Sequence, residues 1–287
     1  MATRRGWPAA EPAIAAILAQ LPDVGGELVV ADASGRPAPD LGATVRWLSC
    51  PTSMSVFQLR SEAYAAARGE LVAQTEDHCR VTPGWARRIL ELHEQWPNAA
   101  AIGGAVEQGD GREPIDWAAF VVTQLPYIAP LANGPVDRTT GATNLSLTRR
   151  GVARLPSHPD IGTIELFDSA ALRDGGDILV QDDSFVVLHD QSLGVAGTSV
   201  IEFHNGRTIG GFRRRAMDRR DWGRVALAGV LPFYRSARAI RAARHKRVPG
   251  DALRQAIPWI VWLQLCTSAG ELVGYALGPG DSPQRLR

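Results

Sequence analysis

The chain has 287 residues, 45% hydrophobic and 21% charged, an ordinary globular balance with enough length for one large α/β domain and an appendage. Its formal net charge of +1 provides no overall field for nucleic acid. Cys50, Cys79 and Cys266 are too widely spaced for a disulfide framework or a zinc module. The scattered cysteines make a reducing, cytoplasmic compartment the expectation, and Pro8, Glu11 and Pro12 break the apolar part of the N-terminal segment, so it does not read as a signal peptide.

In chain order, AEPAIAAILAQL (10–21) has helical spacing with Pro12 near its start. ELVVAD (27–32) and TVRWLS (44–49) read as strands on either side of the loop ASGRPAPD, and VFQLRSEAYAAARG (56–69) as a helix closed by Gly69. ELVAQ (70–74) is a third strand, PGWARRILELHEQW (83–96) an amphipathic helix, and NAAAIGGAVEQ (98–108) a further strand. Segment 137–151 contains a strand, 164–176 a helix ending at Gly175-Gly176, and 177–190 two short strands ending in His189. Strands alternating with helices imply a mostly parallel, doubly wound sheet. Such sheets bind ligands at the carboxyl ends of their strands, where Asp32 and Glu76-Asp77-His78 fall.

The last third changes character. Acids thin out after Asp221 while arginines crowd the stretch from Arg213 to Arg247, and 252–278 is the most apolar segment. A membrane span needs about 20 apolar residues, but Gln264 and Glu271 interrupt this one, and a lipid-facing glutamate costs several kcal/mol. The favoured reading is a helix pair lying on a membrane surface through 212–278, its arginines meeting anionic headgroups. A packed helical appendage or a dimer interface is the competing one. The expected division is a catalytic domain over 1–210 and a basic, apolar helical region over 211–287.

GELVAQTEDHCRVTPGW (69–85) matches a pattern of strand, DDDC, three residues and PgW, with Gly69, Cys79, Pro83 and Trp85 fixing the register. Glu165, Leu172, Gly176 and His189 match a second pattern, an acidic pair opening a helix and an apolar strand ending in His. Between them, residues 141–150, including Asn144, match a GaNmafRR strand. Together these resemble the GT-A glycosyltransferases of family 2, inverting enzymes that use nucleotide-sugar donors, from about residue 2 to 190 and more loosely to the end. The resemblance implies a GT-A, Rossmann-like α/β fold followed by C-terminal amphipathic and apolar helices. It also implies a UDP- or GDP-linked donor, a divalent metal (Mn or Mg), and a role in bacterial cell-envelope, polysaccharide or glycolipid synthesis. The acceptor is unidentified; membrane contact favours a lipid-linked one at the inner face of the plasma membrane.

By the same resemblance, Glu76, Asp77, His78 and His189 are the metal candidates, since a divalent ion stabilises the charge that develops on a departing diphosphate. Imidazole at His78, where the family carries an aspartate, suits manganese or a softer ion better than magnesium. Either the metal is held differently, or Asp77 takes over, or metal dependence is weak. Glu165 is the candidate base that takes the acceptor proton, with Asp168, one turn later, as its substitute. Asp32, Arg60, Glu76, Asp77 and Asn144 are the candidate nucleotide-sugar contacts.

One departure is plain: the family opens with a full apolar strand, whereas MATRRGW resembles only its last residue or two and the following loop. The expectation is that a natural start lies upstream, and Thr3 and Arg4 would then line the nucleoside pocket. Two other readings remain open. One is a catalytically degenerate domain of the same fold that binds nucleotide or acts as a scaffold. The other is a nucleotidyltransferase, disfavoured because there is no GxxxxGK loop and Lys246 is the only lysine.

Overall fold

Short β-branched runs form strands and the segments of helical period form helices, in the order β1 (Ala2–Thr3), α1 (Trp7–Leu18), α2 (Leu21–Val24), β2 (Leu28–Asp32), β3 (Val45–Ser49), α3 (Val56–Ala66) and β4 (Leu71–Thr75). Then come β5 (Cys79–Val81), α4 (Trp85–Gln95), β6 (Ala99–Gln108), α5 (Pro114–Gln124), β7 (Gly134–Pro135), β8 (Asn144–Thr148), α6 (Arg149–Ala153), α7 (Glu165–Asp174) and β9 (Ile178–His189). The chain ends with α8 (Gly194–Ala216), α9 (Leu231–Ala243), α10 (Gly250–Leu277) and α11 (Ser282–Arg285). The structure, a computed structural model, describes residues 1–138, 141, 143–156, 162–216, 223, 225 and 229–286; the side chains of 165–167, 215 and 216 fall outside that description. The described residues divide into two units, 1–109 with 126–190, and 110–125 with 191–286.

The first unit is the expected α/β fold. β1, β2 and β3 pair in parallel, and a parallel bridge from Ala2 to Glu76 links them to the order β4-β8-β6-β9-β5. β8 runs antiparallel between β4 and β6, and β5 runs antiparallel to β9, so among the described residues the parallel pairs are β1-β2-β3, β6–β9 and the Ala2–Glu76 bridge. All five residues of β2 are buried, as a strand covered on both faces requires. The two short strands expected over 177–190 are one strand. Its pairing with β6 jumps from Gly104–Asp182 to Ala105–Val186, so Asp183, Ser184 and Phe185 bulge from the ladder. The sequence break at Asp182-Asp183-Ser184 marks this bulge and not a turn.

β1 lies between β2 and β4: Ala2 and Thr3 pair with Ala31 and Asp32, the Met1 amine donates to the Val29 carbonyl at 2.8 Å, and Ala2 bridges to Glu76 just past β4. A cavity of about 640 Å³ lies beside them, lined by Leu28, Val29, Tyr64, Val72, Gln74 and Trp85 among others. The Ala2–Glu76 bridge falls at the carboxyl end of β4, where the candidate residues lie.

The second unit is helical. Ile115, Ala118 and Val121 of α5, Ala239 and Ala243 of α9, and Leu253, Ala256, Ile260 and Leu263 of α10 form its core. α8 lies against α10 through glycines: a Cβ on Gly206 would come within 1.9 Å of the Thr267 carbonyl, and one on Gly270 within 2.0 Å of the Phe203 carbonyl. Five glycines between 191 and 216 lower the intrinsic helix propensity of this segment; close backbone packing supplies the compensation.

Glu202 of α8 is buried in this unit, accepting hydrogen bonds from Thr267 Oγ1 at 2.9 Å and Asn205 Nδ2 at 3.3 Å. Burial raises its pKa from 4.5 to about 6, the two hydrogen bonds opposing the shift. A folded pKa above the unfolded one means that the folded state holds the proton more tightly. The associated stability is present below pH 4.5 and is lost as pH rises through about 6. The Glu202→Gln variant should therefore be more stable than the parent near neutral pH by about 2 kcal/mol, and indistinguishable from it near pH 4. Urea unfolding at the two pH values checks this; an equal difference at both would show that the carboxylate's charge is not its source.

Candidate active site

The site is built where β4 ends. Glu76, Asp77 and His78 form a tight turn closed by a hydrogen bond from the Cys79 amide to the Glu76 carbonyl at 3.0 Å, and β5 begins at Cys79. β5 places Cys79 directly opposite His189 at the end of β9, so the two side chains project from the same side of the pair. The Asp190 amide donates to the His78 carbonyl at 2.8 Å, tying the turn to the strand end. Residues 111 positions apart in sequence are thereby held face to face.

His78 Nε2 lies 3.2 Å from His189 Nε2, the rings set edge to face at 86°. Glu76 Oε2 is 3.5 Å from His78 Nε2. One donor atom each from Glu76, His78, Cys79 and His189 fit within 4.8 Å of one another. Two imidazoles sharing one ion at ordinary metal–nitrogen distances and a tetrahedral angle hold their nitrogens roughly 3.3 Å apart, so the observed spacing fits a shared cation. The donor set of two nitrogens, a carboxylate and a nearby sulfur suits manganese or zinc better than magnesium.

Asp77 stands behind this group. Its Oδ1 accepts from His78 Nδ1 at 3.0 Å, which leaves Nε2 facing His189. Thr3 Oγ1 donates to Asp77 Oδ2 at 2.7 Å, and Arg5 donates to both carboxylate oxygens at 3.1 and 2.9 Å. A carboxylate that fixes the tautomer and orientation of a metal-facing imidazole is a recurrent second layer of metal sites. Burial works against the Asp77 charge, but the His78 and Arg5 contacts outweigh it and hold the carboxyl well below the usual range. At His78 burial again opposes charge, and the Asp77 hydrogen bond with the nearby Glu76 carboxylate raises its pKa overall. His189 goes the other way, lowered first by burial and then by the charge of His78. Burial and the acids at Glu76 and Asp77 push the Cys79 thiol well up.

The other candidates fall into four groups. Glu76, Arg60, Thr3 and Asp32 gather at the strand ends with the turn. Arg60 Nη2 donates to Glu76 Oε1 at 2.9 Å, and Thr3 pairs with Asp32 in the parallel register of β1 and β2. Asp32 accepts from the Ser34 amide at 2.7 Å, its hydroxyl at 2.9 Å and Trp47 Nε1 at 3.2 Å. Arg4 points instead to backbone, donating to the carbonyls of Met54 and Thr52. Asn144 is fully buried beneath the site: it accepts from Trp85 Nε1 at 2.9 Å and donates to the Ala105 and Phe185 carbonyls at 2.8 and 3.1 Å. Those bonds brace β8 against β6 and β9, which is a structural role. Of the two base candidates, Glu165 opens α7 but its side chain lies outside the described residues. Asp168 is buried and lines a cavity of about 10 Å³ with Arg60, Tyr64, Gln74 and Thr163, room for about one water.

Arg5 and Cys79 were not anticipated as participants. Arg5 adjoins Arg4 in a basic pair that gives no sign of which one turns inward. The part of Cys79 follows from its cross-strand register, which only the topology supplies.

No protein-family model and no curated protein matches this sequence. The mannosyltransferase PcManGT from Pyrobaculum calidifontis, in complex with GDP-Man and Mn2+, superposes with a TM-score of 0.55 at 16% identity, over 96% of this chain and 85% of that one. The chain has a glycosyltransferase fold. S. aureus TarS, residues 1–349, is a second solved structure with some likeness, at a TM-score of 0.46 and 13% identity over 93% of this chain and 88% of that one. Within this glycosyltransferase fold, the Glu76–His189 group occupies the carboxyl edge of the sheet, the edge at which open α/β sheets bind their ligands.

Proposed function

We propose that this protein is a metal-dependent glycosyltransferase that moves a sugar from a nucleotide-diphosphate donor to an acceptor hydroxyl with inversion, as family 2 enzymes do. The observation that carries the reading is the convergence of Glu76, His78 and His189 at the strand ends, with the two imidazole nitrogens 3.2 Å apart and facing one another. That the fold neighbour PcManGT was captured with GDP-Man and Mn2+ supports a nucleotide-sugar donor and a divalent ion here. Bound by these residues, the ion would neutralise charge on the diphosphate leaving group.

The chain's own groups divide the remaining work. Glu76 and the two histidines hold the ion, while Asp77, itself gripped by Thr3 and Arg5, keeps His78 in the required tautomer. Arg60 fixes the Glu76 carboxylate and supplies positive charge beside the diphosphate. Asp32 at the end of β2 is the candidate nucleoside contact. Glu165, at the N-terminus of α7, takes the acceptor proton. Mn2+ is preferred over Mg2+ for a site with two imidazoles. The acceptor is taken to be lipid-linked, in cell-envelope or polysaccharide synthesis at the inner face of a bacterial plasma membrane.

The test is release of nucleoside diphosphate from UDP- and GDP-sugars, with hydrolysis read where no acceptor is supplied. Turnover should require Mn2+, fall by at least about 100-fold on chelation, and be abolished in Glu165→Gln. Nucleotide binding without turnover of any donor would instead support the degenerate domain.

A further inference from the structure

The exposed apolar surface of this protein is concentrated in one unit. Among the described residues eleven large hydrophobic side chains are exposed, and all but Leu90 and Ile178 lie between Val195 and Leu277, in the helical unit. On α10, Pro258, Trp262, Leu265, Ala269, Leu272 and Ala276 are exposed and recur every three or four residues, a single stripe without a charge. Asp251, Arg254 and Gln255 are exposed at the start of the same helix, but between Pro258 and Ala276 its strongly polar groups face inward. Gln264 is buried, and Glu271 is held by Arg213 at 3.3 Å and Arg235 at 2.7 Å.

α9 continues the pattern with charge added. Val230, Phe233 and Tyr234 are exposed at its start, and Arg238, Arg241 and Arg244 are exposed toward and just past its end. These three arginines make no ion pair among the described residues, and the sequence carries no acid between Asp221 and Asp251. A partner for this face must therefore be apolar, to take the aromatic and α10 side chains, and anionic, to meet the arginines.

We propose that the outer faces of α9 and α10 dock the protein on an anionic lipid bilayer, with α10 lying along the surface and not across it. Exposed aromatics beside a row of arginines match the two layers of a bilayer interface, acyl boundary and headgroup. α10, 28 residues long with a mean hydropathy of 1.3 over its most apolar window, has the length to span. Its inner side, however, packs on α5, α8 and α9 and carries the ion-paired Glu271, so only one stripe is free for lipid. An unpaired acidic patch on a protein partner would satisfy the arginines but not the charge-free stripe. The proposal deepens the transferase reading by placing its acceptor on a membrane and rests on that reading for this purpose alone, since docking needs no turnover.

The experiment is flotation of the full chain with vesicles of phosphatidylcholine alone and of an equal mixture with phosphatidylglycerol. Binding is expected to the mixed vesicles and to weaken with salt. Arg238→Gln, Arg241→Gln and Arg244→Gln together should lower it about 100-fold, at roughly fivefold per arginine. Trp262→Ala with Leu265→Ala should lower it about tenfold without changing the salt dependence. Unchanged circular dichroism in the variants keeps a loss of binding from being a loss of fold. Failure to float with either vesicle, or flotation indifferent to both sets of substitutions, overturns the proposal. So does a dimer, seen by light scattering, that the Trp262 and Leu265 substitutions dissociate. Turnover in solution without vesicle binding would defeat this inference alone, and vesicle binding without turnover of any donor would defeat only the transferase reading.

Discussion

His189→Ala should lose divalent-metal affinity by more than about 100-fold while keeping its fold. The side chain ends β9 and presents Nε2 to His78 at 3.2 Å, so truncation removes one of the four converging donors and leaves the set incomplete. Substituting a group that only orients a ligand typically costs 10–100-fold, and a direct ligand should cost more. Asp77→Asn supplies the internal comparison. Asp77 touches the group through His78 Nδ1 alone, so its substitution should fall within that smaller range. Competition with a chromophoric chelator measures both affinities, and near-ultraviolet circular dichroism establishes that the variants are folded. If the two substitutions cost the same, His189 is an orienting residue and the assignment of donors is wrong.

Gly206→Ala should destabilise the helical unit by about 3 kcal/mol or more, the upper end of overpacking costs. A methyl group there would sit 1.9 Å from the Thr267 carbonyl, and because both partners are helix backbone, neither can rotate away as a side chain would. Relief requires α8 and α10 to separate, which also strains the contacts of Gly210 and Gly274, where a Cβ would lie 2.5 and 2.4 Å from opposing carbonyls. Gly250→Ala is the control: nothing lies within 4 Å of its Cβ position, so that substitution should fall within about 0.5 kcal/mol of neutral. Amide exchange across α8 and α10 in urea measures the effect within the unit concerned. A mild effect at Gly206 would mean that the helices are less closely apposed than described.

The strands ending in Asp32 and before Glu76 were legible because buried apolar runs, bounded by loops, have few alternatives to a doubly wound sheet. The joining of Glu76, His78 and His189 was legible only through spacing matched to a known pattern, since no local rule links residues so far apart. What lay beyond reach was decided by backbone register. The tight turn after β4 sends Asp77 behind His78, and the β5–β9 pairing brings Cys79 forward. Asn144 shares the same limit: strand alternation does not say that its amide is spent on Trp85, Ala105 and Phe185. The long β9 read as two pieces because a three-residue bulge breaks its alternation, and α8 was missed because helix propensity counts its glycines as a cost when the packing uses them as an opening.

The central claim, that Glu76, His78 and His189 hold the ion that engages a nucleoside diphosphate, is tested most directly by calorimetric titration of GDP and UDP with and without Mn2+. The protein and an Asp77→Ala, His78→Ala double variant are compared. The account predicts that one of the two nucleotides binds only when Mn2+ is present, and that this binding is absent from the double variant. Nucleotide binding of equal strength with and without the metal, or binding that survives the double substitution, would contradict it.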